Sequence, residues 1–190
     1  MVIVRDAASG TWRLFEKPFE IVTASKATDV PPALEAIEEH CTRGARCAAG
    51  FLSYEAAAAF DSAWQTQDAG DFPLLWSGIY DAPHDRTLDE LADGAGSVSD
   101  EHWEPSISAE HYARVFDEQE LIRRGDTYQV NYTYRMRARL TSDPLALFLR
   151  LSASEMPPFG AFVDTGKWPC AAHRQSCSSI AAAIASNRAR

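Results

Sequence analysis

Hydrophobic and polar residues alternate strictly from Tyr128 to Leu140. Tyr128, Val130, Tyr132, Tyr134, Met136, Ala138 and Leu140 fall on one face, and Gln129, Asn131, Thr133, Arg135, Arg137 and Arg139 on the other. A period of two predicts a half-buried β-strand. Its polar face begins with amides and a hydroxyl and ends in three arginines. A strand turned towards water also shows a polar face, so the pattern alone leaves open whether this face serves a ligand.

The pattern elsewhere predicts short strands at residues 2–5, 12–15 and 20–23. Pro31 and Pro32 open a helix with Leu34, Ile37 and Cys41 on one side, Asp29 as its cap and Gly44 at its end. Residues 47–54 and 74–80 read as strands, and 55–60 as a short alanine-rich helix. Residues 81–105 read as an acidic linker or exposed loop with one short helix near 88–91. Ser108 caps a further helix whose stripe, Tyr112, Val115, Phe116, Gln119 and Ile122, is expected to be buried. Arg123 and Arg124 suit the last turn, and Gly125 supplies a left-handed stop. Asp143 and Pro144 start another helix, with Leu145, Phe148, Leu149 and Leu151 expected to face a core. Residues 159–164 read as a strand. This order predicts an α+β fold with a mainly antiparallel sheet, without internal repeat or glycine-rich phosphate loop.

Composition narrows the function classes. The 190 residues are 46% hydrophobic, enough for one sizeable core or two small ones. The net charge of −9 argues against nucleic acid as a partner. No apolar run is long enough to span a membrane, and MVIVRDAASG is not a signal peptide. The cytoplasm is therefore the expected compartment. Cys41, Cys47, Cys170 and Cys177 then read as free thiols. Cys170, His173 and Cys177 fit no common zinc spacing, so no metal site is predicted. No Ser/His/Asp set is evident, and His111 reads as a solvated helix residue.

LIRRGDTYQVNYT resembles the signature of the chorismate-utilising enzymes, in particular their aminodeoxychorismate synthase component I branch. Ile122, Gly125, Asp126, Tyr128, Gln129, Val130 and Asn131 match it. Asn131 favours that branch, since the anthranilate synthase relatives more often have valine there. GFLSYEAAAAFD resembles an earlier family strand, LFEKPFEIVTA a segment near the family's start, and PPFGAFVDTG the segment before a Ser-Pro-Glu motif. The resemblance covers residues 2–168. It implies the front part of a β-sandwich flanked by helices, truncated, with the alternating strand as a central rib. It implies regions 1–105 (anthranilate-synthase-component-I-like), 106–168 (start of a chorismate-binding domain) and 169–190 (a non-homologous tail).

The resemblance also implies chemistry. The family reaction replaces the 4-hydroxyl of chorismate with ammonia from a glutamine amidotransferase partner, in folate (para-aminobenzoate) biosynthesis. Mg2+ serves the full-length family, and none is expected on this fragment. An amino-acid effector pocket is implied near Pro158, Phe159 and Gly160, with Tyr54 and Asn131 as further candidates. The lysine nucleophile of a Pro-Ile-Lys-Gly-Thr segment has no match, because Lys17, Lys26 and Lys167 are the lysines present. An inactive N-terminal fragment is therefore expected, with no catalytic residue assigned. An anthranilate synthase component I, and a non-catalytic module that binds an effector or the amidotransferase, remain alternatives.

PCAAHRQSCSSIAAAIASNRAR abandons the resemblance at Trp168 and has arginines but no acid. The family motif Ser-Pro-Glu-Leu-Phe-Phe can be written TCG CCA GAG CTG TTC TTC. Read one base late it gives Arg-Gln-Ser-Cys-Ser-Ser, which is Arg174 to Ser179, and His173 can precede it as CAT. The tail therefore reads as a frameshift product with no selected structure or site.

Overall fold

A computed structural model describes residues 1–117, 120–129 and 132–174. In chain order the elements are β1 (Val2–Arg5), β2 (Trp12–Phe15), β3 (Glu20–Ala24), α1 (Val30–Arg43), β4 (Cys47–Leu52), β5 (Leu75–Tyr80), β6 (His84–Arg86), α2 (Leu88–Ala92), β7 (Glu104–Pro105), α3 (Ala109–Asp117), α4 (Glu120–Arg123), β8 (Met136–Arg137), α5 (Pro144–Glu155), β9 (Phe159–Asp164) and β10 (Pro169–Arg174). Every strand pairing among the described residues is antiparallel. The fold is α+β, as expected.

The chain divides into two compact units, Met1–Ala95 with the chain from Pro144 on, and Gly96–Asp143. In the first unit, β10-β9-β1-β2-β6 form one sheet and β3-β5-β4 another. Alternation sorts the side chains into layers. Val2, Val4, Phe15, Ala49, Trp76, Tyr80, Ala161 and Val163 fill the space between the sheets. The opposite face of the smaller sheet, with Leu75 and Ile79, packs on Val30, Ala33, Ile37 and Cys41 of α1. The opposite face of the larger sheet, with Ile3, Trp12, Leu14 and Phe162, packs on Leu91 of α2 and on Phe148 and Leu149 of α5. The order is helix, sheet, sheet, helices. The expected sandwich flanked by helices is seen.

Local chemistry explains the element ends. Thr87 and Glu90 form a reciprocal capping box at α2. Pro at the first turn starts α1, whose cap residue Asp29 makes no side-chain capping bond. The short helix expected at 55–60 is seen as a 3-10 helix, Tyr54–Ala59.

Three sequence expectations are corrected among these elements. Leu151 does not face the core: it is 50% exposed, and Ser152 is fully buried in its place. The buried face of α5 follows Leu145, Phe148, Leu149 and Ser152, three- and four-residue steps that pass Leu151 by. The 81–105 stretch contains strands β6 and β7 as well as α2, because it pairs with β2 and β8. The Tyr112 stripe is not a buried one, since Tyr112 and Ile122 are exposed. Gln119 lies outside the described residues.

The predicted long strand is also shorter. Within 132–140 only Met136–Arg137 is a strand, opposite Glu104–Pro105. A strand forms only as far as a ladder partner runs beside it, and β7 offers two residues. Val130 and Asn131 lie outside the described residues. The tail was expected to carry no selected structure; within it Pro169–Arg174 pairs along the whole of β9. An open strand edge presents backbone groups that almost any extended segment can pair with. Residues 175–190, which include Cys177, lie outside the described residues.

Candidate functional site

The signature segment lies in the second unit. Gly125, at φ +80°, closes α4 by donating its N–H to the Ile122 carbonyl at 3.1 Å. This left-handed stop is the one its position predicts. Asp126 and Gln129 are exposed, and Thr127 donates its hydroxyl to the Gln129 carbonyl at 3.1 Å. Tyr128 is 93% exposed. Of the signature residues, Val130 and Asn131 are not placed, and the described part of the predicted polar face stands in solvent.

Beside it, Tyr112 packs its ring edge-on against Tyr134 at 5.5 Å and tilted against Tyr132 at 5.9 Å. Ser108 caps α3, accepting the His111 N–H at 3.1 Å. Tyr112, Tyr134, Pro105, Ile107, Ser108 and Ala109 line an open cleft of about 200 Å³.

Glu101 holds this unit together. Its Oε1 accepts from Thr141 N, Ser142 N and Ser142 Oγ at 2.8 Å each, and from Thr141 Oγ1 at 3.1 Å. The Thr141 N–H leads in stabilising the ionised form, followed by the Ser142 hydroxyl and N–H, and the carboxyl is pulled down to about 2. Ser142 Oγ in turn accepts the Ser99 N–H at 2.9 Å. Sequence reading missed Glu101: it is one acid in an acidic stretch, and its partners lie some forty positions away.

The other candidates lie in the first unit. Pro158 is exposed, Phe159 half-buried and Gly160 buried at the start of β9. Gly160 has a packing reason. A Cβ there would stand 2.8 Å from the Trp12 ring and 3.3 Å from Pro157. Met156, at φ +38°, turns the chain from α5 into this contact. Tyr54 is 78% exposed, in the turn after β4. Between the sheets the Tyr80 hydroxyl is buried without a hydrogen-bond partner among the described residues, and burial pushes it up to about 12. Among the described residues no group of three or more His, Cys, Asp or Glu could hold a metal. No described helix is long and apolar enough to cross a membrane.

With this geometry in view, the comparisons define the class. Residues 2–178 match the chorismate binding enzyme family, and the chain belongs to it. The match runs past Trp168, where the sequence reading placed the end of the resemblance. Among curated proteins, a 62-residue stretch is 36% identical to aminodeoxychorismate synthase component 1 of Escherichia coli (strain K12). That stretch is 32% of this chain and 14% of the relative's length.

Proposed function

We propose that the chain is a portion of an aminodeoxychorismate synthase component 1. In that reaction the C4–O bond of chorismate breaks, a C4–N bond forms to ammonia, and the hydroxyl leaves as water with a proton taken from ammonia. A glutamine amidotransferase partner supplies the ammonia by hydrolysing glutamine. The observation that carries this reading is the run Ile122, Gly125, Asp126, Tyr128, Gln129, Val130 and Asn131, supported by the match to the component 1 relative. Magnesium in such a site would draw charge from the departing hydroxyl. The described residues offer no ligand set for it, so no step is assigned through a metal. By the same resemblance, Pro158, Phe159, Gly160, Tyr54 and Asn131 are proposed around an amino-acid effector, for which titration calorimetry against tryptophan is the direct test. The regions 1–105, 106–168 and 169–190 are proposed as the family boundaries, in a cytoplasmic protein.

We propose further that the tail is an out-of-frame reading of the family's Ser-Pro-Glu-Leu-Phe-Phe. The gene decides this. Restoring one base near the codons of Trp168 and Pro169 should reopen a long frame that encodes Ser-Pro-Glu and, further on, the lysine segment. A frame that closes within a few codons sinks the idea. The protein from the restored frame, given chorismate, ammonia and magnesium, should yield aminodeoxychorismate. Anthranilate as the product would transfer the chain to the other branch. The 190-residue chain, which lacks the Pro-Ile-Lys-Gly-Thr lysine, should give no product above a protein-free control.

A further inference from the structure

Two exposed surfaces of the chain are complementary to each other. The first is the loop between β4 and β5. Tyr54 and Ala57 of its 3-10 turn eclipse on one side, and Phe60, which caps the turn, follows at the same three-residue spacing. Tyr54, Phe60 and Trp64 are all more than half exposed. The loop is nonetheless internally organised. Phe60 N donates to the Ala57 carbonyl at 3.0 Å, Trp64 N to the Asp61 carbonyl at 3.2 Å, and Ala63 N to Asp61 Oδ1 at 2.8 Å. Gly70 N donates to Asp68 Oδ1 at 2.9 Å. From Arg46 to Arg86 the sequence has no lysine or arginine between them. Glu55, Asp61 and Asp68 have no ion-pair partner among the described residues.

The second surface is the stretch around β8. Arg135, Arg137 and Arg139 are exposed at alternate positions and have no ion-pair partner among the described residues. Met136 and Leu140 beside them are also exposed. Arg135 is held in place through its backbone, which accepts from Ser106 N at 2.7 Å and donates to Ser106 Oγ at 3.1 Å.

We propose that the loop carrying Tyr54, Phe60 and Trp64 docks onto the Arg135–Arg137–Arg139 stripe of a second copy of this chain. Guanidinium groups stack on aromatic faces and pair with carboxylates, and the loop offers both within a few residues. Large exposed aromatics and arginine are the residue types that carry interface energy. Because the two surfaces differ, the contact is head-to-tail, and association continues beyond a dimer unless the ring closes.

Sedimentation velocity and light scattering on the full chain test this, with circular dichroism to confirm that each variant folds. The wild type should associate with rising concentration, and less so when salt rises from about 50 mM to about 500 mM. Phe60→Ala with Trp64→Ala, or Arg135→Glu with Arg137→Glu and Arg139→Glu, should each lower the self-association constant at least about tenfold. If the glutamate variant does not fold, Arg→Gln at the same three positions replaces it. An equimolar mixture of the loop variant and the stripe variant keeps one intact pair of surfaces. It should give a one-to-one pair that grows no further. A wild type that stays monomeric, association that both variants retain, or a mixture that forms no pair would each overturn the proposal.

Discussion

Glu101 shows how one side chain can close a structural unit. A single carboxylate oxygen collects two N–H groups and two hydroxyls from Thr141 and Ser142. These bonds hold the ionised form, so the carboxyl falls from 4.5 to about 2 on folding. A group depressed in the folded state contributes stability above its unfolded value and loses it as pH falls. The clamp should therefore be fully engaged above about pH 4.5 and released between there and about pH 2. Hydrogen exchange at the Thr141 and Ser142 amides checks this: protection should fall across that window in the wild type. In Glu101→Gln it should be low already at neutral pH and flat with pH, and protection equal to the wild type would show that the charge does not matter. Gly160 makes a different point at the same scale. A methyl at this position has to displace the Trp12 ring or Pro157, so Gly160→Ala should cost roughly 1–3 kcal/mol in urea unfolding. Neither effect was legible in the sequence. A lone acid in an acidic stretch and a glycine beside two prolines look ordinary until distant partners arrive.

Elements were legible where the deciding interactions are local. Strands β1, β2, β3 and β5, and the cores of α1 and α5, follow from alternation or from three- and four-residue spacing, with start and stop residues close at hand. Two failures have one cause, namely that pairing is not written in local pattern. Tyr128 to Leu140 alternates as strictly as any stretch in the chain, yet among its described residues only Met136–Arg137 finds a partner strand. The pieces β6 and β7 look like loop in sequence and become strands because a neighbour runs alongside. In α5 the error was one of phase. The face through Phe148 and Leu149 packs on Trp12 and Phe162, whereas Leu151 points to solvent. Leu149→Ala should therefore destabilise the chain by about 2–4 kcal/mol, and Leu151→Ala by less than about 0.5 kcal/mol. Paired urea melts of the two variants check the assignment, and equal losses would refute it.

At the scale of the whole molecule the chain joins residues far apart in sequence. The first sheet takes β1, β2 and β6 from the front and β9 and β10 from the back, so its core cannot form until residues beyond Pro144 return. The candidate site was legible only through motif resemblance. Its residues lie in stretches whose chemistry depends on non-local partners, and Asn131 is not among those described. The tail puts the same question most sharply. Its sequence resembles an out-of-frame reading, yet Pro169–Arg174 lies in register with all six residues of β9. The proposed out-of-frame origin and the observed register agree if the pairing is made by the backbone. Cys170 and Ala172 cover Ala161 and Val163 only thinly, and small side chains add little to a ladder whose hydrogen bonds come from the main chain. Ending the chain after Trp168 should therefore leave β9 as an unpaired edge, with Ala161 and Val163 more open to water. The expected result is a loss of about 1–3 kcal/mol in urea unfolding, together with stronger light scattering from edge-to-edge association. Replacing Cys170 and Ala172 by threonine, which keeps the backbone and suits a strand, should leave both measurements near the wild type. If the truncated chain matches the wild type, β10 contributes nothing to the sheet. If the threonine variant behaves like the truncated one, the tail's own side chains hold it, and selection of those side chains would have to be considered.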